Sequence, residues 1–392
     1  MFLLNADPYS MKIIADANLK DIEIYFSQFG ELQVLSGREI NAQTITDADA
    51  LLIRSVTSVD KALLENSKVK FVGTATSGTD HVDQAYLANN DIIFAHAHGS
   101  NAQAVADYCL SALIGFSRII SPKVKKGRVG IVGLGAVGSA LARLLKSIGI
   151  DVLAYDPLLT EEQRRIAIAV GVEFTAVIED VFDQEAVSIH TPLSFDGKYP
   201  TSNMIDLALL ARLPNAAVLI NASRGEVIEE NELLAFLESR PDVFSILDVW
   251  INEPDINLDL MALATIATPH IAGYSRRAKT LATKMLAESF NEFMWAGDGH
   301  FPSHDQFAPV KLALKNNVLA SVESVVSAAL PIEDWSVEFK RQITGTANRG
   351  GAFDKFRKSM INRSEFSDFE IAVSRLNSQE LTNLKNLGFK LS

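Results

Sequence analysis

The stretch "VGIVGLGAVGSALARLLKSIGIDVLAYDP", residues 129–157, decides the fold of the central part of the chain. An apolar, strand-like run leads into Gly133, Gly135 and Gly138, which have the G-x-G-x-x-G spacing. Glycines at this spacing permit a tight turn, a close approach of backbone to a pyrophosphate, and close packing of a helix on a strand. The residues that follow place apolar side chains on one helical face, at Val137, Leu141, Leu144, Leu145 and Ile148. The stretch therefore predicts a strand, turn and helix that bind a dinucleotide.

Asp156 ends the second apolar run of this stretch, roughly twenty residues after the glycines. A carboxylate at that place accepts hydrogen bonds from both ribose hydroxyls and repels a 2′-phosphate, so NAD is favoured over NADP. No Gly-Lys-Ser/Thr follows the glycines, and the phosphate loop of ATPases is therefore not supported.

Apolar runs alternate with helical patterns on both sides of the glycine loop. "KIIAD", "ALLIR" and "KFVGTA" precede the loop, and "AVSIH", "AVLINAS", "FSILDV" and "TIATPH" follow it. This alternation is typical of parallel sheets with crossover helices. The sequence therefore predicts an α/β protein with two Rossmann-like, doubly wound parallel-sheet lobes and a small C-terminal α+β domain.

We expect three domains. A substrate-binding lobe spans residues 11–103 and is completed by a returning long helix within 272–296. An NAD-binding Rossmann domain spans residues 104–271, and the C-terminal domain spans 300–392. In that last domain "VKLALKNNVLASVESVVSAAL" and "SQELTNLKNLGF" are predicted to be helical, and "FEIAVSRL" to be a strand. Residues 1–10 are assigned no function.

Composition limits the possible functions. The chain has 392 residues, of which 48% are hydrophobic and 21% charged, as in globular proteins. The formal net charge of −12 argues against a general binder of nucleic acid or of anionic membranes. No apolar run approaches the ~18 residues that span a bilayer. Cys109 is the single cysteine, so no disulfide forms within the chain. We expect Cys109 to lie in the core and the protein to act in the reducing cytoplasm.

Three polar residues follow consecutive predicted strands: Arg224 after "VLINAS", Glu253 after "ILDVW" and His270 after "TIATP". In open α/β sheets the carboxyl ends of the strands line the ligand crevice. A histidine can take a hydroxyl proton near neutral pH, and a glutamate can orient its imidazole. An arginine can hold a carboxylate through two parallel hydrogen bonds. Each residue alone has an ordinary alternative, namely a surface arginine, a loop glutamate or a packed histidine, but together they predict a catalytic set.

The motifs "GLGAVG", "HTPL", "NASRGEVI", "DVWINEP" and "PHIAG" occur in this order within residues 11–296. In order and approximate spacing they resemble the D-isomer-specific 2-hydroxyacid dehydrogenases. The resemblance implies a split substrate lobe hinged to a central NAD domain, and it implies that the three polar residues are catalytic. It also implies that Asp248 lies near the nicotinamide end of the cofactor and that Thr191 faces the cofactor.

Within this family, "ALLIRSVTSVD", "KFVGTATSGTDHVD", "PHIAGYS" and "GAFDKFRKSM" are most similar to a branch that oxidises a phosphorylated sugar acid. This likeness implies that Ser55, Thr76 and Tyr274 contact the substrate and that Gly273 lies against the cofactor. It further implies that residues 300–392 mediate a homodimer.

A phosphorylated hydroxy acid carries two anionic ends, so it needs two cationic anchors. Arg224 suits the carboxylate, and Arg54 is the candidate for the other end. Arg276, Arg277 and Arg349 are weaker candidates, and the adjacent Arg276–Arg277 pair has the ordinary alternative of a solvated helix face.

The sequence is also compatible with two other functions. The chain can be another D-2-hydroxyacid dehydrogenase, acting on 3-phosphoglycerate, glycerate, glyoxylate or formate, or a non-catalytic NAD-sensing binding protein of the same fold. A metal site is not expected, because no cysteine or carboxylate cluster accompanies His96 and His98.

Overall fold

A computed structural model describes residues 11–116, 127–295, 307–312, 321–372 and 376–392. These residues form two compact units. The first comprises the described residues of Met1–Asn101 and Arg276–Phe307, and the second those of Ala102–Ser275 and Ala308–Ser392. The C-terminal segment thus groups with the segment that carries the glycine loop. Its status as a separate domain stays a prediction, and both its proposed start at residue 300 and residues 1–10 lie outside the described residues.

The first unit contains a five-stranded sheet in the order β2-β1-β3-β4-β5, in which all neighbouring strands pair in parallel. Its strands are β1 (Met11–Asp16), β2 (Gly30–Leu35), β3 (Ala50–Ile53), β4 (Phe71–Thr74) and β5 (Ile93–His96). Its helices are α1 (Ile22–Phe26), α2 (Lys61–Leu64), α3 (Gln84–Asn89) and α11 (Arg276–Trp295). The three predicted apolar runs of this lobe are the buried strands β1, β3 and β4.

Aromatic packing joins the long helix α11 to this first sheet. The ring of Phe290 is fully buried, and its centroid lies 5.0 Å from that of Phe71 and 5.1 Å from that of Phe29. Aromatic rings at such distances add to the apolar area that they bury. The helix begins at Arg276, later than predicted, because residues 271–275 form a turn described below.

The second unit contains a seven-stranded sheet in the order β12-β11-β10-β9-β6-β7-β8, again parallel throughout. Its strands are β6 (Arg128–Val132), β7 (Asp151–Tyr155), β8 (Glu173–Phe174), β9 (Ala186–Ile189), β10 (Val218–Asn221), β11 (Phe244–Leu247) and β12 (Ile266–Ala267). Its helices are α4 (Ala102–Phe116), α5 (Ala136–Ser147), α6 (Glu161–Ala169), α7 (Ile178–Phe182), α8 (Leu207–Leu210), α9 (Glu230–Ser239) and α10 (Leu258–Leu263). The strand order reverses between β6 and β9, which is where ligands bind in doubly wound sheets.

The C-terminal segment adds helices and a three-stranded parallel sheet, β13-β14-β15. Its elements are β13 (Val310–Lys311), α12 (Val322–Ala329), α13 (Ile332–Thr344), α14 (Arg349–Ser359), β14 (Phe369–Ile371), α15 (Ser378–Asn386) and β15 (Lys390–Leu391). The predicted strand β14 and helix α15 are confirmed. The prediction of a helix from residue 310 is wrong at its start, because Val310 pairs with Phe369 in the sheet; residues 313–320 lie outside the described part.

Helix α4 forms the centre of the second unit's core. Cys109 is fully buried within it, and burial raises the pKa of its thiol to about 12, so the predicted core role is confirmed. The Ser111 hydroxyl donates to the Leu330 carbonyl oxygen over 3.0 Å, which links α4 to the C-terminal segment.

The predicted fold class is confirmed: the protein has two parallel sheets with helices and a small third sheet. Within the described residues, no helix is both long and apolar enough to cross a membrane.

Candidate active site

The glycine loop joins β6 to α5. Gly133 has a φ of +87°, and a Cβ built on Gly138 would lie 2.1 Å from the Gly133 carbonyl oxygen. The first position therefore needs a left-handed backbone, and the second needs the absence of a side chain. Gly135 is exposed, has nothing within 4 Å of a built Cβ, and begins α5 without a side-chain cap. The space beside Gly135 is thus open and no side chain caps the helix end, as a bound pyrophosphate requires.

Asp156 and Thr191 flank the glycine loop on the strands either side of β6. One carboxylate oxygen of Asp156 accepts from the Leu134 amide over 2.8 Å, so the acid is held beside the loop. Thr191 follows β9, and its Cγ2 would lie 3.0 Å from a Cβ built on Gly133. Its Oγ1 is buried and has no hydrogen-bond partner among the described residues. A buried hydroxyl without a partner next to a glycine cradle fits the edge of a cofactor site.

His190, directly before Thr191, is a packed neutral histidine. Burial lowers the pKa of its imidazole to about 3. The residue keeps some surface, but its Nδ1 is buried without a partner among the described residues, and its Nε2 lies 2.8 Å from the Ser188 hydroxyl. It therefore packs at a strand end as predicted.

His270 and Glu253 form a direct pair. His270 Nδ1 lies 2.9 Å from one Glu253 carboxylate oxygen, and the other oxygen accepts from the Trp250 amide over 3.0 Å. Burial alone would raise the pKa of Glu253, but the charge and hydrogen bond of His270 outweigh it, and the pKa lies below its usual value. Since an ionised carboxylate only accepts, Nδ1 must be the donor. His270 Nε2 is then left as the basic nitrogen.

Asp248 holds the turn that carries His270. It is 1% exposed, and its carboxylate accepts from the amides of Ile271 and Ala272 over 2.8 Å each and from the Thr268 hydroxyl over 2.6 Å. Its backbone carbonyl accepts from the His270 amide, and His270 has a φ of +55°. Burial raises the pKa of Asp248. Because of these contacts, residues 271–275 form a turn instead of the first turn of α11, and the backbone of His270 is held in position. The predicted contact of Asp248 with the cofactor stays a prediction.

Arg224 follows β10, the strand next to β11 and second from β12. A Cβ built on Gly225 would lie 2.3 Å from the Trp250 carbonyl carbon, so the backbones after β10 and β11 are in direct contact. The Asn221 side chain donates to the Arg224 carbonyl oxygen over 2.9 Å, which fixes the turn. The strands β10, β11 and β12 are parallel neighbours, so their carboxyl ends lie at the same edge of the sheet. The residues that come after these ends, Arg224, Glu253 and His270, therefore lie at that edge.

The C-terminal segment supplies two arginines near this edge that the sequence analysis missed. The guanidinium carbon of Arg357, in α14, lies 4.9 Å from the centroid of the Tyr274 ring, and its charge helps to lower the pKa of Glu253. Arg363 is almost fully buried and donates to the carbonyl oxygens of Ala272 and Tyr274. Neither position lies near the histidine in sequence, so no local motif could have linked them to it.

Arg363 belongs to a buried charged cluster. Asp107, in α4, is fully buried and accepts from the Phe366 amide over 2.8 Å and from the Gln103 side chain over 2.7 Å. Burial first, and then the negative charge of Glu365, raises the pKa of Asp107 to about 8. Glu365 also accepts a short hydrogen bond from the Ser275 hydroxyl. The cluster ties α4, the turn after His270 and the C-terminal segment together.

The predicted residues of the substrate lobe lie in the first unit. Ser55 is exposed just after β3, and Thr76 is partly buried just after the neighbouring parallel strand β4. The Thr76 hydroxyl donates to the Gly78 carbonyl oxygen over 2.7 Å. Arg54, partly buried, immediately follows β3. The structure thus brings these residues to one edge of the five-stranded sheet, and their contact with substrate stays a prediction.

The weaker candidate arginines have different surroundings. The guanidinium carbons of Arg276 and Arg277 lie 3.9 and 5.2 Å from the centroid of the Phe307 ring, and Nε and Nη2 of Arg276 are buried. A solvated face is therefore wrong for Arg276. Arg349, the first residue of α14, is exposed.

No group of three or more metal-ligating side chains occurs in the described ranges. Of the two histidines considered for a metal site, His96 contacts the Ser77 carbonyl oxygen through Nδ1.

Comparison with known families assigns the cofactor. The family profile described as "D-isomer specific 2-hydroxyacid dehydrogenase, NAD binding domain" matches residues 100–272, which contain the glycine loop and the His270–Glu253 pair. A crystal structure of NAD⁺-bound 3-phosphoglycerate dehydrogenase from Entamoeba histolytica superposes with a TM-score of 0.61 at 25% identity, covering 75% of this chain and 99% of that one. NAD is thus the cofactor, in agreement with the loop, the acid after β7 and the unpaired Thr191 hydroxyl.

Relatives of similar length extend the match beyond the NAD-binding segment. The erythronate-4-phosphate dehydrogenase of Pseudomonas entomophila is 36% identical over 93% of this chain and 94% of its own length. That of Salinibacter ruber is 42% identical over 74% of each chain. The chain therefore belongs to the D-isomer-specific 2-hydroxyacid dehydrogenase family, among the erythronate-4-phosphate dehydrogenases.

Proposed function

We propose that this protein oxidises 4-phospho-D-erythronate to 2-oxo-3-hydroxy-4-phosphobutanoate with NAD, as a step in the biosynthesis of pyridoxal 5′-phosphate, vitamin B6. The observation that carries the proposal is the match to erythronate-4-phosphate dehydrogenases along nearly the whole chain, for example over 97% of it for the Hahella chejuensis protein. A match confined to the NAD-binding segment would support only the general chemistry of the family.

His270 acts as the general base in this proposal. Its Nε2 takes the proton of the substrate hydroxyl, and Glu253 holds Nδ1 and stabilises the imidazolium that results. NAD, when bound, supplies the hydride acceptor. The 2.9 Å contact between the two side chains and the lowered pKa of Glu253 support this division of roles.

Arg224 holds the substrate carboxylate and polarises the adjacent oxygen. Tyr274, Ser55, Thr76 and Arg54 also contact the substrate in this proposal. The support for Arg224 is its place at the carboxyl edge shared with the His270–Glu253 pair. The support for the other four is the resemblance of their motifs.

The cofactor contacts divide by chemistry. Gly133, Gly135 and Gly138 admit the pyrophosphate, and Asp156 accepts the ribose hydroxyls. Thr191, Asp248 and Gly273 lie along the rest of the cofactor. The uncapped start of α5 and the unpaired Thr191 hydroxyl support this arrangement.

A substrate panel tests the proposal. The protein is incubated with NAD and, separately, 4-phosphoerythronate, erythronate, 3-phosphoglycerate, glycerate and formate, and NADH absorbance is followed. The phosphorylated four-carbon acid should be oxidised with the highest kcat/KM. Equal turnover of erythronate would overturn the phosphate requirement. NAD binding without turnover of any acid, together with a specific protein partner, would instead favour an NAD-sensing protein.

The C-terminal segment, 300–392, mediates a homodimer in this proposal, and the protein acts in the cytoplasm. The first statement rests on the resemblance of "GAFDKFRKSM", and the second on the single, buried thiol of Cys109, which suits a reducing compartment. Light scattering after size-exclusion chromatography measures the mass in solution, and a monomer at all concentrations would reject the dimer.

A further inference from the structure

Arg357 is a cation at the edge of the candidate active site that no carboxylate of the described residues pairs with directly. Its guanidinium carbon lies over the Tyr274 ring, 4.9 Å from the centroid. Its Nε is buried and has no hydrogen-bond partner among the described residues. A buried donor without an acceptor costs free energy, and a bound oxyanion would remove that cost.

The position of Arg357 is fixed by helix α14. At the start of the helix, a Cβ built on Gly350 would lie 3.1 Å from the Pro254 side chain, so the backbone packs against the turn that carries Glu253. Further along, Phe353 and Phe356 are buried, with ring centroids 5.8 and 5.6 Å from that of Phe339. Arg357 lies four residues after Phe353 and thus on the same face of the helix, so this packing fixes the backbone from which its side chain extends.

Glu253 does not neutralise this cation by a direct contact. Its carboxylate oxygens are bound to His270 and to the Trp250 amide. The charge of Arg357 nevertheless reaches Glu253, since it contributes to the low pKa of that carboxyl. A positive charge is therefore present beside the acid–base pair, and its Nε has no acceptor among the described residues.

We propose that Arg357 binds the phosphate of the phosphorylated hydroxy acid, while Arg224 binds its carboxylate. A guanidinium is weakly hydrated and offers a planar set of donors that matches a phosphate. The C-terminal segment then contributes directly to substrate choice, besides its packing on α4. This inference rests on the proposed function, since it identifies which end of that substrate the residue recognises.

The test compares two substrates that differ only in the phosphate. Arg357→Met removes the charge and keeps an apolar stem, and Arg357→Lys keeps the charge without the planar donors. Lys358→Met removes one charge from the exposed neighbouring position of the same helix and is the matched control. We expect R357M to lower kcat/KM for 4-phosphoerythronate about 10- to 100-fold, as for the loss of charge-assisted hydrogen bonds. R357K should recover part of that loss.

With unphosphorylated erythronate, R357M should stay within threefold of wild type, and K358M should match wild type with both acids. An equal fall with both acids would overturn the proposal, because Arg357 would then act through Glu253. A value within threefold of wild type with both acids would overturn it as well. Melting temperatures of all variants show whether each one is folded.

A second readout separates failure of this inference from failure of the proposed function. Calorimetric titration of inorganic phosphate into the NAD-loaded protein needs no turnover. Weaker phosphate binding by R357M than by K358M supports an anion site even where none of the acids is oxidised. Equal phosphate affinity in the two variants overturns the site, whichever acid the enzyme oxidises.

Discussion

His270 Nδ1 lies 2.9 Å from a Glu253 carboxylate oxygen, although the two residues are seventeen positions apart in the sequence. The pair depends on two turns at neighbouring strand ends, one held by the Asp248 carboxylate and one by the Trp250 amide. The imidazole is thus oriented before any substrate binds, as a general base requires.

Replacing His270 tests its role as the base. His270→Ala should lower kcat for alcohol oxidation by about 10² to 10⁴, because the hydroxyl proton loses its acceptor. His98→Ala changes an exposed histidine of the first unit and should leave kcat unchanged. A kcat for H270A within threefold of wild type would reject the role, provided that NAD affinity is retained.

The pH profile tests the coupling to Glu253. Oxidation requires an unprotonated imidazole, so kcat/KM should rise with pH. The pKa of Glu253 is lowered, so its carboxylate is ionised near neutral pH. This negative charge stabilises the protonated imidazole. Glu253→Gln removes that stabilisation, and the midpoint of the rise should therefore move to lower pH, besides a loss of rate. An unmoved midpoint in the full profile of E253Q would contradict the coupling.

Two glycines of the loop should respond differently to alanine. Gly138→Ala places a methyl group against the Gly133 carbonyl oxygen and should lower the free energy of unfolding by about 1–3 kcal/mol. Gly135→Ala meets no protein atom, so its melting temperature should stay at or slightly above that of wild type. G135A should nevertheless weaken NAD binding at least about tenfold, because the backbone must approach the pyrophosphate there. Unchanged NAD affinity in G135A would place the pyrophosphate elsewhere.

Arg224→Lys tests the carboxylate anchor while it keeps the charge. A lysine cannot make two parallel hydrogen bonds to a carboxylate, so KM should rise and kcat should fall together. Steady-state kinetics with 4-phosphoerythronate measures both values. If KM and kcat both stay at the wild-type values, Arg224 does not bind the substrate carboxylate. Melting curves of the variant show whether it is folded.

Asp107→Asn should alter how stability depends on pH. The pKa of Asp107 rises on folding from its ordinary value of 3.8 to about 8, because it is buried near Glu365. Folding therefore takes up a proton between these values, and the contribution of Asp107 to stability is lost as pH rises through that window. An asparagine avoids this loss, so the free energy of unfolding of D107N relative to wild type should increase from pH 5 to pH 8.5 in urea titrations. A constant difference would show that Asp107 is ionised in the folded protein.

The second unit's sheet and its polar edge were predictable because the signals are local. The spacing of Gly133, Gly135 and Gly138 predicts a turn, and repeated short apolar runs such as "VLIN" are typical of central strands in parallel sheets. Residues that follow parallel neighbouring strands must meet at one edge, so Arg224, Glu253 and His270 could be grouped without coordinates.

The contribution of the C-terminal segment was not predictable in this way. Arg357 and Arg363 are distant in sequence from the residues that they contact, and a single sequence contains no record of such pairings. The strand at Val310 was missed for a related reason, since its two residues are defined only by pairing with Phe369. Periodicity predicts elements, whereas long-range hydrogen bonds and ion clusters decide where these elements pack.

The Arg363 contacts can form only after residue 363 has been synthesised. Arg363 lies ninety-one positions after Ala272, so the ribosome synthesises the loop of His270 well before the side chain that binds its carbonyl oxygens. Domains generally fold as units during synthesis, from the N-terminus onward. A polypeptide that ends between residues 275 and 362 therefore contains the histidine turn without the buried guanidinium that binds its carbonyl oxygens.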